Sequence, residues 1–361
     1  MSIKNNSRLA LAGVVTLSMA LVGCAATSDD SAVVAQPEAS ATASEVAVDP
    51  CEALSGKQLS FIVTFKPGGG YDTFARLLAP ELAEVVGADI VVVNQDGAGG
   101  LLAINTLIST GKTDGTEFAI MNGVGTVAAV LAEAEGANFS LDDLSYIGRI
   151  GADDAVLVTT ANSEYQTFAD VLSKGGFTFG STGPGSSNYV WPSMLMAAFD
   201  LESSGSKIIS GFKGSGDITL AVLQGDVSGY SATSDSIQKD IDSGEMISLL
   251  GLSDAATLAS GDSPLAGDLD LTEKQKTLLN TQVTASRLGR VLVGPAGMDS
   301  GALQCLRDGL ATVMDDDEFL AEAAAAGRAF NYIPGEVVQA EIIDNLRGLP
   351  QEYLDALKAA F

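Results

Sequence analysis

The chain has 361 residues, enough for two domains, and its 46% hydrophobic and 18% charged residues are the proportions of a soluble α/β protein. A net charge of −27 repels nucleic acid and excludes it as a partner. There is no histidine, so Ser-His-Asp and Cys-His catalysis are excluded, and no zinc-ligand spacing occurs.

The chain opens with a targeting segment. Lys4 and Arg8 form a positive start, and Leu9 to Gly23 form an apolar run too short to span a bilayer comfortably. Its end, Leu21-Val22-Gly23-Cys24, resembles a bacterial lipoprotein signal, which predicts a signal peptide over residues 1–23 and lipidation of Cys24. Cleavage leaves 17 basic against 46 acidic residues, a charge of −29. Residues 24–50 are rich in Ala, Ser, Thr, Val and acids, show no helical or strand period, and read as a flexible tether. The expected location is extracytoplasmic, on the outer face of the cell membrane, with a lipid anchor as the only membrane contact. Outside the cytoplasm the remaining pair, Cys51 and Cys305, is expected to oxidise to a disulfide.

Strand-like runs follow at Leu59–Thr64, Asp89–Val93 and Glu117–Met121, with helical patterns between them. In the first helix Phe74, Leu77, Leu78, Leu82 and Val85 share one face, and Pro80 predicts a kink or a division. Gly99–Thr110 reads as the next helix. Further strands are expected at Tyr146–Ile150, Ala155–Thr159, Phe177–Gly180, Lys207–Ser210, Val227–Ala232, Met246–Leu252 and Arg290–Val293. Helices fit Thr167–Ser173, Tyr189–Phe199 and Asp217–Gln224. Residues 253–287 are polar, acidic and loosely helical, and helices recur at Gly301–Met314, Asp316–Ala326, Glu336–Leu346 and Glu352–Ala360. The alternation implies βαβ crossovers and parallel pairing.

Four glycine-rich turns join a strand to a helix: Lys66–Asp72, Asn94–Gly100, Gly180–Asn188 and Ser210–Gly216. Each leaves free backbone N–H groups at a helix start, which favours an anion. Two turns in each half suggest two α/β lobes facing one cleft. In the first turn Gly68, Gly69 and Gly70 let the backbone approach a ligand closely. Asp72 is either a helix cap or a ligand contact, and Tyr71 either hydrogen-bonds or packs as a lid. Lys66 and Lys213, two of the few basic residues, are placed to pin a carboxylate. Ser181, Thr182, Ser186 and Ser187 offer hydroxyls, with Thr182 through Ser187 either caps of the following helix or ligand contacts, and Ser181, Thr182 and Ser186 join Gly100, Gly214, Asn122 and Thr233 in the candidate ligand-binding set. Arg76 is expected to brace packing.

No metal or cofactor is implied. Gly111-Lys112-Thr113 fails as a phosphate loop because Thr106 stands where its first glycine is needed, and Asp315–Glu318 reads as a charged helix start.

Phe65-x-Pro67-Gly68-Gly69-Gly70-x-Asp72-x-x-Ala75-Arg76 resembles the first signature of the tripartite tricarboxylate transporter receptors, the Bug-type binding proteins. Asn94-x-x-Gly97-Ala98-x-Gly100 is similar to their second. Phe179-Gly180-Ser181-x-Gly183-x-Gly185-Ser186 is similar to the third, and Lys213-Gly214-Ser215 with Leu223-x-Gly225-x-Val227 to the fourth. The resemblance covers residues 57–250 clearly and the C-terminal helices loosely. It implies a type II periplasmic-binding-protein fold, two α/β lobes joined by two crossover strands. Lobe 1 would hold residues 51–150 and 234–361 and lobe 2 residues 151–233, with Tyr146–Ile150 and Val227–Ser234 as the crossings. The function implied is that of a monomeric solute-binding receptor, not an enzyme, which captures a small di- or tricarboxylate and delivers it to membrane permease subunits. A same-fold receptor for another anion or an aromatic acid, or a ligand-presenting signalling receptor, fits the same signatures. Asn188 stands where histidine is frequent in the family and Ala232 where an acid is common, differences that bear on the ligand.

Overall fold

The computed structural model describes residues 50–346 and 348–361. The signal segment, Cys24 and the tether up to residue 49 lie outside the described residues. The chain first builds β1 (Gln58–Val63), α1 (Gly70–Val86), β2 (Asp89–Asn94), α2 (Leu101–Thr110), β3 (Glu117–Asn122), α3 (Gly123–Leu131) and β4 (Leu144–Gly151). It then forms β5 (Ala155–Thr160), α4 (Phe168–Lys174), β6 (Thr178–Ser181), α5 (Ser187–Phe199), β7 (Lys207–Ser210), α6 (Ser215–Gln224), β8 (Gly229–Thr233), α7 (Ser234–Asp242) and β9 (Met246–Leu252). The last part holds α8 (Glu273–Ser286), β10 (Arg290–Pro295), α9 (Ser300–Met314), α10 (Asp317–Ala325), β11 (Ile333–Pro334), α11 (Gly335–Leu346) and α12 (Gln351–Ala360).

The strands form two sheets, ordered β11-β4-β10-β3-β1-β2 and β7-β6-β8-β5-β9. Helical crossovers make β1 parallel to β2 and β3, and β6 parallel to β7 and β8. The parallel expectation fails at β10, antiparallel to β3 and β4, and at β5, antiparallel to β8 and β9. Both strands enter their sheet from the other one, so no crossover within a single sheet sets their direction.

β1 and β3 bury Leu59, Phe61, Val63, Phe118 and Ile120 against α1 and α9. On α1, Phe74, Leu78 and Leu82 are buried as the spacing predicts, whereas Val85 is 40% exposed. Pro80 does not divide α1. It lies on the exposed face, where water can satisfy the carbonyl that a proline leaves unpaired. A disulfide joins Cys51 to Cys305 and ties the segment before β1 to α9.

Two helices escape the periodicity. α3 is buried along nearly its whole length and so carries no polar face, and α7 is a short, mostly polar helix directly after β8 that buries only Ile237. The expected return crossing, Val227–Ser234, instead lies in the second sheet as β8, and β9 extends that sheet to Leu252. The chain returns to the first sheet only through residues 253–289. α12 packs on α5 and α8, with Tyr353 Oη donating to Gln282 Oε1 at 2.7 Å, so the C-terminus joins the second set of elements and not the first. No helix among the described residues is long and apolar enough to cross a membrane.

Candidate functional site

Strand β1 ends at Val63, and the chain passes through Phe65-Lys66-Pro67 and three glycines into α1. Gly68 has φ +89°, a conformation that favours glycine; Gly69 is the N-cap in extended conformation. The turn is shaped by Asp72, which is 4% exposed and accepts from Gly68 N at 2.8 Å, Arg76 Nε at 2.9 Å and Asn94 Nδ2 at 2.9 Å. Burial raises the pKa of this carboxyl, but the bonds from Arg76, Gly68 and Asn94 outweigh it and hold it below its ordinary value. Asp72 thus acts within the turn as a reach-back from the third helical residue, and Arg76 neutralises it.

On the second sheet, Asn188 organises the turn between β6 and α5. Its Oδ1 accepts from Thr182 N at 3.0 Å, Thr182 Oγ1 at 3.1 Å, Ser181 Oγ at 3.2 Å and Ser186 Oγ at 2.6 Å. The Thr182 N–H is an obligatory donor, so it fixes which way the amide points. Asn122 caps α3 by accepting from Gly125 N at 2.8 Å, and its Nδ2 donates to Ser187 Oγ at 3.2 Å. Lys66 Nζ pairs with Asp217 of α6, and its stem crosses Gly214, where a Cβ would meet Lys66 Cγ at 3.1 Å. The charge expected to face a ligand is therefore already committed between the sheets.

A cavity of about 50 Å3 lies where these turns meet. Phe65, Lys66, Gly69, Gly70 and Tyr71 line it from the first sheet, and Thr182, Ser186, Ser187, Asn188, Gly214 and Ser215 from the second. Asn122, residues 230–233 and Ser236 complete the wall. Helices α1, α5, α6 and α7 all begin here, at Gly69, Ser186, Gly214 and Thr233, and none has a side-chain cap bond. Even the two N-caps with hydroxyls bond elsewhere: Ser186 to Asn188 and Gly183 O, Thr233 to Ser236. The first-turn amides are thus left without side-chain partners.

Of the residues singled out in the sequence, Lys66, Gly69, Gly70, Tyr71, Asn122, Thr182, Ser186, Gly214 and Thr233 share the cavity wall. Gly68, Asp72, Gly100, Ser181 and Lys213 do not. Gly68 gives its N–H to Asp72, Ser181 is fully buried and bonded to Asn188, and Lys213 points outward, exposed. The second signature serves another purpose. Gly185 N donates to Ala98 O at 3.3 Å, and a Cβ on Gly99 would stand 2.6 Å from Gly183 O. Gly97–Gly100 therefore packs backbone to backbone against the third signature, and Gly100 faces Thr64. Sequence reasoning noted the Ser187 hydroxyl and the position of Asn188 but left both out of the ligand set, and it missed Ser215, Ser231 and Ser236. Ser187 and Ser215 are readable as helix starts, but a lone serine on a strand or in a first turn carries no signal.

Beside Tyr71 lies a buried charge cluster. Arg290, 2% exposed, donates from Nη2 to both Asp235 oxygens at 3.0 Å and from Nη1 to Ala152 O at 2.9 Å, and stands 3.9 Å from Asp153. Its guanidinium lies over the rings of Phe74, at 4.4 Å, and Tyr71, at 5.1 Å. Burial lowers the Arg290 pKa, but Asp235 and Asp153 outweigh this and raise it. Burial, then Asp153, push the Tyr71 hydroxyl well above its ordinary value.

Residues 74–320 match the family described as "Tripartite tricarboxylate transporter family receptor". The chain is 26% identical over 219 residues to BugT of Bordetella pertussis, which is 59% of this chain and 66% of that protein. It spans between 38% and 66% of the length of the curated relatives it matches. Among solved structures, the periplasmic binding protein BugD superposes with a TM-score of 0.68 at 18% identity, covering 84% of this chain and 97% of that one. MatC from Rhodopseudomonas palustris with bound malate superposes at 0.67 and 18% identity, covering 84% and 98%. These likenesses share the two-lobe periplasmic-binding-protein fold. With more than half of its length matched by the family, the chain belongs to the tripartite tricarboxylate transporter receptors.

Proposed function

We propose that this protein is an extracytoplasmic solute-binding receptor, not an enzyme, that traps a small carboxylate between its lobes and delivers it to membrane permease subunits. One lobe is built on β1–β4, β10 and β11, the other on β5–β9. A monomer anchored through Cys24 by lipid fits this role. The observation that carries the reading is the convergence of four helix starts without side-chain caps on one cavity. A carboxylate leaving water must regain its hydrogen bonds, and these amides supply them. Each helix start adds about 0.3–1 kcal/mol for a nearby anion. The Lys66–Asp217 pair across the cavity supports a clasp that holds the lobes together once the ligand is in place. Relatives solved with malate and with adipate support the ligand class. A thermal-shift screen of di- and tricarboxylates, amino acids and aromatic acids tests it. A ligand at 100 times its Kd should stabilise the fold by about 2.7 kcal/mol. No shift with any carboxylate refutes the receptor reading.

A further inference from the structure

The cavity where the four helix starts meet is small. Its 50 Å3 or so holds roughly three to five waters, since one water needs about 10–15 Å3. That many waters fill about 90–150 Å3 of liquid. A three- or four-carbon acid has this bulk, and a six-carbon or branched tricarboxylic acid exceeds it. The space suits a polar occupant. Ser231, 3% exposed, and Tyr71, 8% exposed, line it with hydroxyls that have no hydrogen-bond partner, whereas a cavity that stays empty is lined by apolar groups.

Protein contacts, not the ligand, set how closely the lobes approach. Gly125 of α3 lies against the turn before α5, where a Cβ would collide with Gly185 O and Ser186 N. Gly99 meets the same turn, a Cβ there standing 2.6 Å from Gly183 O. Beside this seam Asn122 and Ser187, both in the cavity wall, are bonded at 3.2 Å. α3 then packs on α5, with Ala128 and Ala129 in one buried cluster with Val190 and Trp191. At the first turn Lys66 N donates to Lys213 O at 3.5 Å. With backbone already against backbone, a longer ligand gains room only by breaking these contacts. Resting on the receptor reading, we infer that the glycine seam fixes the size of the cavity and restricts the ligand to an acid of four carbons or fewer, excluding longer and tricarboxylic acids. Each methylene beyond that limit is forced into a packed wall or holds the seam open, which costs about tenfold in affinity.

Calorimetry on the full chain with propionate, malonate, succinate, adipate and citrate tests this. The best of the three short acids should bind about a hundredfold more tightly than adipate, which carries two methylenes more than succinate, and citrate should bind no better than adipate. Gly125→Ala changes no residue of the cavity wall but places a Cβ in the seam. It should weaken the best short acid about tenfold or more and narrow its lead over adipate, while thermal melts confirm folding. Adipate or citrate bound by the wild type as tightly as the best short acid overturns the inference. So does a Gly125→Ala variant that folds and keeps both affinities; should that variant fail to fold, the wild-type series decides alone. Binding of longer acids only leaves the receptor reading standing without this one, whereas failure of every carboxylate to bind refutes both.

Discussion

Helices α1, α5, α6 and α7 start at the cavity without a side-chain bond at their N-caps, while α4, α8, α9 and α10 start away from it and are capped by Thr167, Thr272, Asp299 and Asp316. The contrast has exceptions on both sides: α2, from Gly100, and α12, from Pro350, start away from the cavity uncapped, and α3 starts at the cavity with Asn122 as its cap. An N-cap bond is worth about 1 kcal/mol, so four helices forgo a stabilisation that their neighbours use. The chain has the residues to cap two of them, yet Ser186 and Thr233 turn their hydroxyls to other partners. The contrast locates where backbone donors are kept available and where they are used to hold the fold. Stability and ligand capture therefore rest on separate parts of the molecule, and substitutions should separate them.

The largest expected effect lies in the part that holds the fold. The disulfide Cys51–Cys305 closes a loop with a sequence separation of 254. Its double serine variant should lose about 4–5 kcal/mol of unfolding free energy in a urea titration, with ligand affinity of the folded protein unchanged. A large loss of affinity would show that α9 and the segment before β1 position the cleft as well. Next comes Asp72→Asn, which keeps one acceptor oxygen but removes the charge that Arg76 neutralises and turns the other oxygen of the first-turn network into a donor, and which should cost about 1–3 kcal/mol. The Asp72 pKa is depressed in the folded state, so its contribution is fully present above its ordinary value of 3.8 and is lost as pH falls through the lower folded value. The gap between wild type and variant in melts should accordingly be constant from neutral pH down to about that value and close below it. A constant gap at every pH would mean that Asp72 acts through packing. The smallest effects sharpen the contrast directly. Thr272→Ala should cost about 1 kcal/mol and leave binding intact. Gly69→Ser places a hydroxyl at an uncapped start where a Cβ meets Ser215 Oγ at an ordinary 3.7 Å. It should stabilise the fold by a few tenths of a kcal/mol while weakening carboxylate binding, measured by calorimetry. Unchanged binding in Gly69→Ser would remove the α1 amides from the site.

Most strands, most helices and all four turns were legible in the sequence, because strand alternation, helical spacing and glycine act over a few residues. The antiparallel directions of β5 and β10 were not, since a strand arriving from another sheet carries no local mark of its direction. Nor was the buried helix α3, whose apolar surroundings erase its periodicity. Five of the fourteen candidate ligand-binding residues fall outside the cavity wall, and the glycine turns show why. The glycines of the second signature look like those of the first, yet one set opens onto the cavity and the other presses against Gly183–Ser186.

The sequence by itself determined the lobed α/β plan, the family and the presence of free amides at helix starts, since backbone conformation follows from neighbouring residues. Only the tertiary structure decided which starts face a common cavity, that Asp217 takes the Lys66 charge, and that Asn188 binds the Ser181 and Ser186 hydroxyls. Partners such as Lys66 and Asp217 lie 151 residues apart, and a pairing across that distance is set by how sheets and helices pack, which no local pattern encodes.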